Sequence, residues 1–288
     1  DLTGVLKYHH SDIRNILERA SARDTVSRTA VGSFCKQLLA PFGIKVMGYI
    51  RSIGKVEAKN EGLTYEEIFA RSDESPVRVA DKEAEDKMIA LIEDCKKKGD
   101  TLGGIFEVVA LGLPPGLGSH AQWDDKLDGR LARALMSIQA IKGVEIGLGF
   151  EMARRRGSEV HDEIFFDPDK MVSEGTPRIV PPGFYRGSNN SGGTEGGLSN
   201  GAPLVVRVAM KPISTLMSPL QSVDLRSKRP ADASVERSDV CSAPAAAVVG
   251  EAVVAFELAV AFLEKFGGDS LHEITRNYEG YLGQIKNF

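Results

Sequence analysis

The stretch Ala243–Phe266, APAAAVVGEAVVAFELAVAFLEKF, indicates how this chain folds. It is the most apolar part of the sequence and is rich in alanine, the residue with the highest helix propensity. Glu251, Glu257 and Glu264 interrupt it, and carboxylates are costly in the hydrocarbon of a membrane. The stretch therefore predicts a buried core helix rather than a membrane span.

The segments around this helix mix the periodicities of helices and strands. Apolar runs predict strands over 44–53, 103–111, 143–146 and 204–210, and helical spacing predicts helices over 12–40, 82–98, 126–141 and 270–285. Because these elements do not alternate strictly as βαβ units, we expect an α+β fold. No linker divides the chain, so residues 1–288 are predicted to form one domain, with a long Gly/Ser/Pro-rich loop over 172–203.

The composition excludes several classes of protein. Of 288 residues, 42% are hydrophobic and 26% are charged, as in soluble globular proteins, and the net charge of −4 disfavours a nucleic-acid partner. Cys35, Cys95 and Cys241 are far apart and form no CxxC pair, so neither a zinc knuckle nor a disulfide framework is predicted. We expect a reduced, cytoplasmic compartment, no membrane partner and no signal peptide.

Two short motifs concentrate cationic side chains. In Glu18–Thr25, ERASARDT, the residues Arg19 and Arg23 are four apart, which would place them on one helix face. Arginine forks suit phosphate and carboxylate oxygens, although a solvated basic face is the alternative. Lys211–Thr215, KPIST, follows a predicted strand and could cradle a phosphate with its backbone and hydroxyl donors, or could simply be the exit of the strand.

Two further motifs lie near predicted loops and helix starts. Arg237 and Asp239 precede the alanine-rich helix, where backbone N–H groups favour anions; Asp239 or Ser242 could instead cap that helix. The stretch Gly192–Gly201, GGTEGGLSNG, would allow a backbone to approach a ligand closely, or would let a loop move.

These motifs, taken in order, resemble those of the chorismate synthase family. The resemblance rests on ERASARDT, on IQAIKGVEI at Ile138–Ile146, and on GGTEGGLSNG, MKPIST and ERSDVCSAPA. It continues between the motifs at GDTLGG, Gly99–Gly104, and at EKFGGDS, Glu264–Ser270, so it covers essentially all 288 residues. It implies a β-α-β sandwich in which mostly antiparallel sheets pack with helices.

The resemblance also implies an activity. Members of this family convert 5-enolpyruvylshikimate-3-phosphate to chorismate and phosphate, in the shikimate pathway of aromatic amino acid biosynthesis. The reaction is a 1,4-anti elimination that needs reduced FMN, and some members use NADPH as the reductant of the flavin. A homotetramer in the cytoplasm is implied as well.

The resemblance assigns roles to residues that match the family's motifs. Arg23 would bind substrate anions, and Asp239 would handle a proton near flavin N5. The implied FMN contacts are Arg19, Ala20, Ser21, Gln139, Ala140, Gly196, Lys211, Pro212, Ile213, Ser214, Thr215 and Arg237.

Parts of the family pattern lie outside this sequence. The family has an amino-terminal segment with two acid–base histidines, and Asp1 matches the residue that closes the second histidine motif. We therefore expect the natural protein to begin further upstream, and this chain alone to be weak or inactive, with exposed apolar surface. His9 and His10 are predicted to lie at the surface or at the start of a helix, and no metal site is predicted, because His161 with two neighbouring carboxylates falls short of a ligand set.

Two other functions remain open from the residues alone. A non-catalytic relative could keep an FMN- or phosphate-binding surface without the chemistry. A nucleotide-binding oxidoreductase is suggested by Gly147–Met152, GLGFEM, which follows a predicted short strand, although Met152 replaces the third glycine of a dinucleotide fingerprint.

Overall fold

The computed structural model of the chain describes residues 2–167 and 183–286. Asp1 and residues 172–182 of the predicted loop lie outside the described residues. The described helices are α1 (Leu2–Tyr8), α2 (Arg14–Ala20), α3 (Thr25–Leu39), α4 (Tyr65–Glu74), α5 (Lys82–Lys97), α6 (Leu127–Met136), α7 (Gly157–Val160), α8 (Ala243–Phe266) and α9 (Leu271–Lys286). The described strands are β1 (Lys45–Ile53), β2 (Val56–Glu57), β3 (Gly104–Leu111), β4 (Ile141–Ile146), β5 (Ile164–Phe166), β6 (Phe184–Arg186), β7 (Thr194–Glu195), β8 (Leu198–Ser199), β9 (Leu204–Met210), β10 (Gln221–Val223) and β11 (Pro230–Asp232).

A five-stranded sheet in the order β2-β1-β3-β9-β4 forms the main layer, and each neighbouring pair in it is antiparallel. Side chains alternate between its two faces, as the pleat of a strand requires. On β3, Phe106 and Val108 are fully buried beneath the helices, while Glu107 points to the opposite face. The α+β class is confirmed, and the predicted strands at 44–53, 103–111, 143–146 and 204–210 are all present.

Helix α8 covers the sheet and forms the centre of the core. Val254, Leu258 and Phe262 on this helix have no exposed surface. The helix lies close to the strands because the sheet offers glycine: a Cβ on Gly48 would come within 2.6 Å of the Ala247 carbonyl oxygen. Among the described residues, α8 alone is long and apolar enough to cross a membrane, yet 72% of its most apolar window is buried in protein. The prediction of a buried core helix is confirmed.

Helix α3 packs against α8, and the outer side of this helix pair is apolar and exposed. The two helices approach so closely that a Cβ on Gly32 would lie 2.4 Å from Cα of Ala252. On the side away from the sheet, Phe34 is 73% exposed and Phe256 is 44% exposed. The exposed apolar surface expected from the sequence is present on these two helices.

Several predicted elements differ in their bounds. The helix predicted over 12–40 is interrupted at Ser21, whose extended backbone (ψ 150°) separates α2 from a 3₁₀ turn and α3. The helix predicted over 126–141 ends at Met136, and the left-handed backbone at Ala140 turns the chain into β4. Within the described part of the predicted loop, β6, β7 and β8 form short hairpin strands where no regular structure was expected.

The dinucleotide fingerprint suggested at Gly147–Met152 is wrong. Strand β4, which precedes it, runs antiparallel to β9, and the residues after it form a 3₁₀ helix, Gly149–Arg154. A dinucleotide fold needs a parallel strand that leads through the turn into an α-helix. The structure therefore removes the support for a nucleotide-binding oxidoreductase.

Candidate functional site

The segment Lys211–Thr215 leaves the sheet directly after β9, and other parts of the chain hold it. The N–H of Lys211 donates to the carbonyl of Ala140 at 2.9 Å. Farther along, the Thr101 hydroxyl donates to the Ile213 carbonyl at 2.6 Å. Pro212 lies between these two anchors and Ser214 follows the second, and both residues are exposed. The segment is thus fixed at one backbone N–H and one carbonyl, while the side chains of Lys211 and Ser214 are exposed.

Gln139 and Ala140 form the turn between α6 and β4. Ala140 has a left-handed backbone (φ 64°), which turns its carbonyl toward Lys211. The Nε2 of Gln139 donates to the Ser21 carbonyl at 3.3 Å, which brings the end of α2 to this turn. The other amide atom, Oε1 of Gln139, is buried and has no partner among the described residues. The turn therefore holds a buried acceptor whose hydrogen bond is not made within the described residues.

The arginine motif lies beside this turn, but not as one helix face. Helix α2 ends at Ala20, and Arg23 belongs to the following 3₁₀ turn, so the prediction that Arg19 and Arg23 share a helix face is wrong. Arg23 instead forms an ion pair with Glu18 at 2.6 Å. Both arginines are exposed, and Arg19 extends from the last turn of α2, next to the Ser21–Gln139 contact. Arg19 is therefore exposed beside the turn, whereas Glu18 holds the guanidinium of Arg23.

Arg237 and Asp239 lie on the segment that leads into α8. The Ser238 hydroxyl donates to the Thr215 carbonyl at 3.1 Å, and this bond joins the segment to Lys211–Thr215. Neither capping alternative is realised, because Ser242 occupies the N-cap position of α8 without a side-chain hydrogen bond. Burial raises the pKa of the nearby Cys241 thiol, which keeps it protonated at neutral pH.

An exposed hairpin, which we call the arm (Leu216–Glu236), connects these two segments. Its strands β10 and β11 pair from Gln221 to Asp232, and all of their residues are exposed. The roots of the arm are Lys211–Thr215 on one side and Arg237–Asp239 on the other. The structure therefore brings together the predicted site residues from four stretches of sequence: Arg19–Ser21, Gln139–Ala140, Lys211–Thr215 and Arg237–Asp239.

Gly196 is placed apart from this cluster. It lies in the turn between β7 and β8, with a left-handed backbone (φ 58°), and a Cβ added to it would meet no atom within 4 Å. The adjoining Gly193 packs against Leu204, the first residue of β9, whereas Lys211 follows the last residue of that strand. The β7–β8 turn and Lys211 therefore lie at opposite ends of β9, a strand about 20 Å long. A cavity of about 730 Å³ lined by Tyr185, Leu198 and Tyr281 opens near this turn.

The histidines noted in the sequence, His9, His10 and His161, are exposed. Asp162, the neighbour of His161, organises the adjoining loop. The Asp162 carboxylate accepts hydrogen bonds from the backbone N–H groups of Asn190 and Ser191 and from the Ser188 hydroxyl. Burial disfavours ionisation there, but these hydrogen bonds outweigh it and lower the pKa of Asp162. In residues 2–167 and 183–286, no group of three or more His, Cys, Asp or Glu side chains is placed to hold a metal ion.

Comparisons with known proteins agree on one family. A sequence model of chorismate synthase matches residues 1–263. The "Chorismate synthase" of Geobacter sulfurreducens is 58% identical over 288 residues, which are 100% of this chain and 72% of that protein. The protein of the same name from Symbiobacterium thermophilum is 59% identical over 99% of this chain and 70% of its own length. A crystal structure of chorismate synthase superposes with a TM-score of 0.83 and 46% identity, covering 99% of this chain and 76% of that one. The chain therefore belongs to the chorismate synthase family.

Proposed function

We propose that this chain is the flavin-dependent lyase that its family implies, converting 5-enolpyruvylshikimate-3-phosphate to chorismate and phosphate. The observation that carries the proposal is the 54–59% identity to chorismate synthases over nearly the whole chain. The substrate loses one proton and its phosphate group in a 1,4-anti elimination, so the net redox state does not change.

The residues of the cluster fit a bound FMN. The buried, unpartnered Oε1 of Gln139 is an acceptor that a flavin donor can satisfy, and exposed arginines stand beside it. Arginine forks and a lysine beside backbone donors suit the phosphate of the cofactor. The contacts that we propose are Arg19, Ala20, Ser21, Gln139, Ala140, Lys211, Pro212, Ile213, Ser214, Thr215 and Arg237. The contact predicted for Gly196 stays a prediction, since that residue lies at the other end of β9.

The chain's own groups would then bind, orient and move a proton. Reduced FMN, when bound, supplies electron density to the substrate and takes it back. Arg23 would hold an anionic group of the substrate, for which it must leave its ion pair with Glu18. Asp239, at the root of the arm, would hold a proton close to the reacting ring. The protein must also exclude water and oxygen from the reduced flavin.

The proposal includes the setting of the enzyme. We expect a homotetramer in the cytoplasm, with NADPH as one route to the reduced flavin. The three cysteines are free, in agreement with a reducing compartment. Light scattering after size exclusion would test the tetramer, and a mass of one 31.1 kDa chain would contradict it.

Anaerobic turnover tests the proposed reaction. Dithionite-reduced FMN and 5-enolpyruvylshikimate-3-phosphate would be added, and chorismate absorbance followed, for the 288-residue chain and for the complete product of its gene side by side. Turnover in either protein supports the lyase. FMN binding without chorismate in both proteins would favour the non-catalytic relative instead.

The proposed proton role of Asp239 has its own variant. Asp239→Asn should lower turnover by about 10²-fold or more, the usual contribution of a general acid or base, with little change in FMN affinity. Asp232→Asn, in the exposed strand β11 of the arm, is the matched control and should keep wild-type turnover. Equal turnover in both variants would remove Asp239 from the mechanism.

A further inference from the structure

The segment Gly99–Gly104, GDTLGG, contacts the first root of the arm and Val240, the residue that follows the second root, and no binding or catalytic role has been given to it above. Besides the bond from the Thr101 hydroxyl to the Ile213 carbonyl, at 2.6 Å, the Leu102 N–H donates to the Val240 carbonyl at 2.8 Å. At the start of the segment, the Ser218 N–H donates to the Gly99 carbonyl at 2.9 Å. We call these six residues the clasp, because they join Lys211–Thr215 to the segment before α8.

The clasp can lie this close only because of its glycine at position 103. A Cβ on Gly103 would come within 2.4 Å of the Met210 carbonyl oxygen and 3.0 Å of Pro212. Backbone oxygen cannot yield in the way that the end of a long side chain can. Glycine is therefore required at position 103, where the clasp contacts Met210 and Pro212.

The bond from Thr101 fixes the direction of one peptide group. The peptide between Ile213 and Ser214 is planar and trans, so its N–H points opposite to its carbonyl. Since the Ile213 carbonyl faces Thr101, the Ser214 N–H must face away from it. In the described parts of the chain, the Ser214 N–H has no backbone acceptor. Ser214 precedes Thr215, whose carbonyl accepts the bond from Ser238, so the Ser214 N–H lies on the segment that is joined to the second root of the arm.

We propose that Thr101 is a positioning residue for a phosphate monoester, acting through the Ile213–Ser214 peptide. Its hydroxyl holds the carbonyl so that the Ser214 N–H is aimed at a phosphate oxygen without reorganisation. Oriented backbone N–H groups beside cationic side chains are a general form of phosphate site. This inference rests on the proposed function, in which two ligands carry a phosphate monoester: FMN and the substrate.

Two variants and two flavins test it. Thr101→Val keeps the shape of the side chain and removes the hydroxyl, whereas Thr101→Ser keeps the hydroxyl. Flavin fluorescence would give the dissociation constants for FMN and for riboflavin, which lacks the phosphate. Calorimetry would give that of 5-enolpyruvylshikimate-3-phosphate with FMN present. We expect Thr101→Val to weaken the binding of one phosphate-bearing ligand about tenfold, as for the loss of a hydrogen bond to a charged group. Riboflavin binding should be unchanged, and Thr101→Ser should bind like wild type.

The outcomes separate the two phosphates and the two hypotheses. Weaker FMN binding assigns the N–H to the cofactor phosphate, and weaker substrate binding assigns it to the substrate phosphate. An equal loss for FMN and riboflavin, or no loss for any ligand in Thr101→Val, would overturn the positioning role while wild-type FMN binding still stands. A wild-type protein that binds neither flavin would overturn the proposed function itself.

Discussion

The carboxylate of Glu251 and the guanidinium of Arg78 lie 2.8 Å apart at the open edge of strand β1. Strand β2 pairs only with the last two residues of β1, Ser52 and Ile53, so Gly48 has no strand on that side. The Gly48 N–H donates to Glu251 at 2.9 Å, and its carbonyl accepts from Arg78 at 3.1 Å. An ion pair thus satisfies both backbone groups of an uncovered strand edge.

Removal of the buried Glu251 carboxylate should lower the stability of the protein. Glu251→Ala removes the acceptor of the Gly48 N–H and leaves Arg78 with only the more exposed Asp73 as an ion-pair partner, which should lower the free energy of unfolding by about 3 kcal/mol. Guanidinium denaturation would measure it. The control is Glu151→Ala, which removes an exposed carboxylate that pairs with Arg154 and Arg155 and should leave the midpoint unchanged. Equal midpoints for both variants would contradict the role of the pair.

Two glycines in helices should respond to alanine with opposite signs. Gly32→Ala places a methyl group against the backbone of Ala252, so overpacking should cost about 1–3 kcal/mol in spite of better helix propensity. Gly280→Ala in α9 meets nothing within 4 Å and should stabilise the protein by up to about 1 kcal/mol. Thermal unfolding of both variants measures the difference. A gain for Gly32→Ala would show that α3 can move away from α8.

Acid should weaken the loop that Asp162 organises. Hydrogen bonds lower its pKa below the value of about 3.9 in an unfolded chain. Its contribution is therefore complete above that unfolded value and is lost as the pH falls through the lower, folded pKa. Asp162→Asn should destabilise the protein at pH 7 and progressively less as the pH falls below the unfolded value, as measured by urea unfolding at each pH. A destabilisation that does not change with pH would refute this account.

Gln139 should matter more to the cofactor than to the fold. In Gln139→Met the lost bond to Ser21 and the removed unpartnered acceptor offset each other, so thermal stability should change little. FMN binding, however, should weaken about tenfold because the acceptor is gone. Gln37→Met, at an exposed position of α3, is the matched control. Unchanged FMN affinity in Gln139→Met would contradict the proposed hydrogen bond between FMN and the Oε1 of Gln139.

Local sequence could predict the main elements because their signals are local. The apolar run of β3 and the alanine-rich α8 carry their own periodicity, so both were predicted within a residue or two. Helix α4 was missed: its capping box at Thr64 and Glu67 was a readable signal, but its short span holds few apolar positions. Arg19 and Arg23 were assigned to one face because spacing alone does not reveal the extended backbone at Ser21.

The site itself depended on contacts that no local pattern contains. The Thr101 hydroxyl reaches Ile213 across 112 positions of the sequence, and Gln139 reaches Ser21 across 118. Such bonds form only once the sheet has brought the segments together. The motif resemblance supplied the candidate residues, whereas their arrangement into one cluster, with Gly196 outside it, required the fold.

The closed base of the arm has a practical consequence for protein engineering. The Ser238 hydroxyl donates to the Thr215 carbonyl at the base of the arm. This bond fixes the distance between the two roots, so that distance does not depend on the turn at the far end of the hairpin. The turn around Ser227 and Lys228 is exposed. The hydrogen bonds of the next residue, Arg229, go to Ser227 and Asp224 of the same turn. A peptide tag or a fluorescent label inserted at this turn should leave the hydrogen-bonded base of the arm unchanged, because exposed turns tolerate added length. The label would then report on the surroundings of the site.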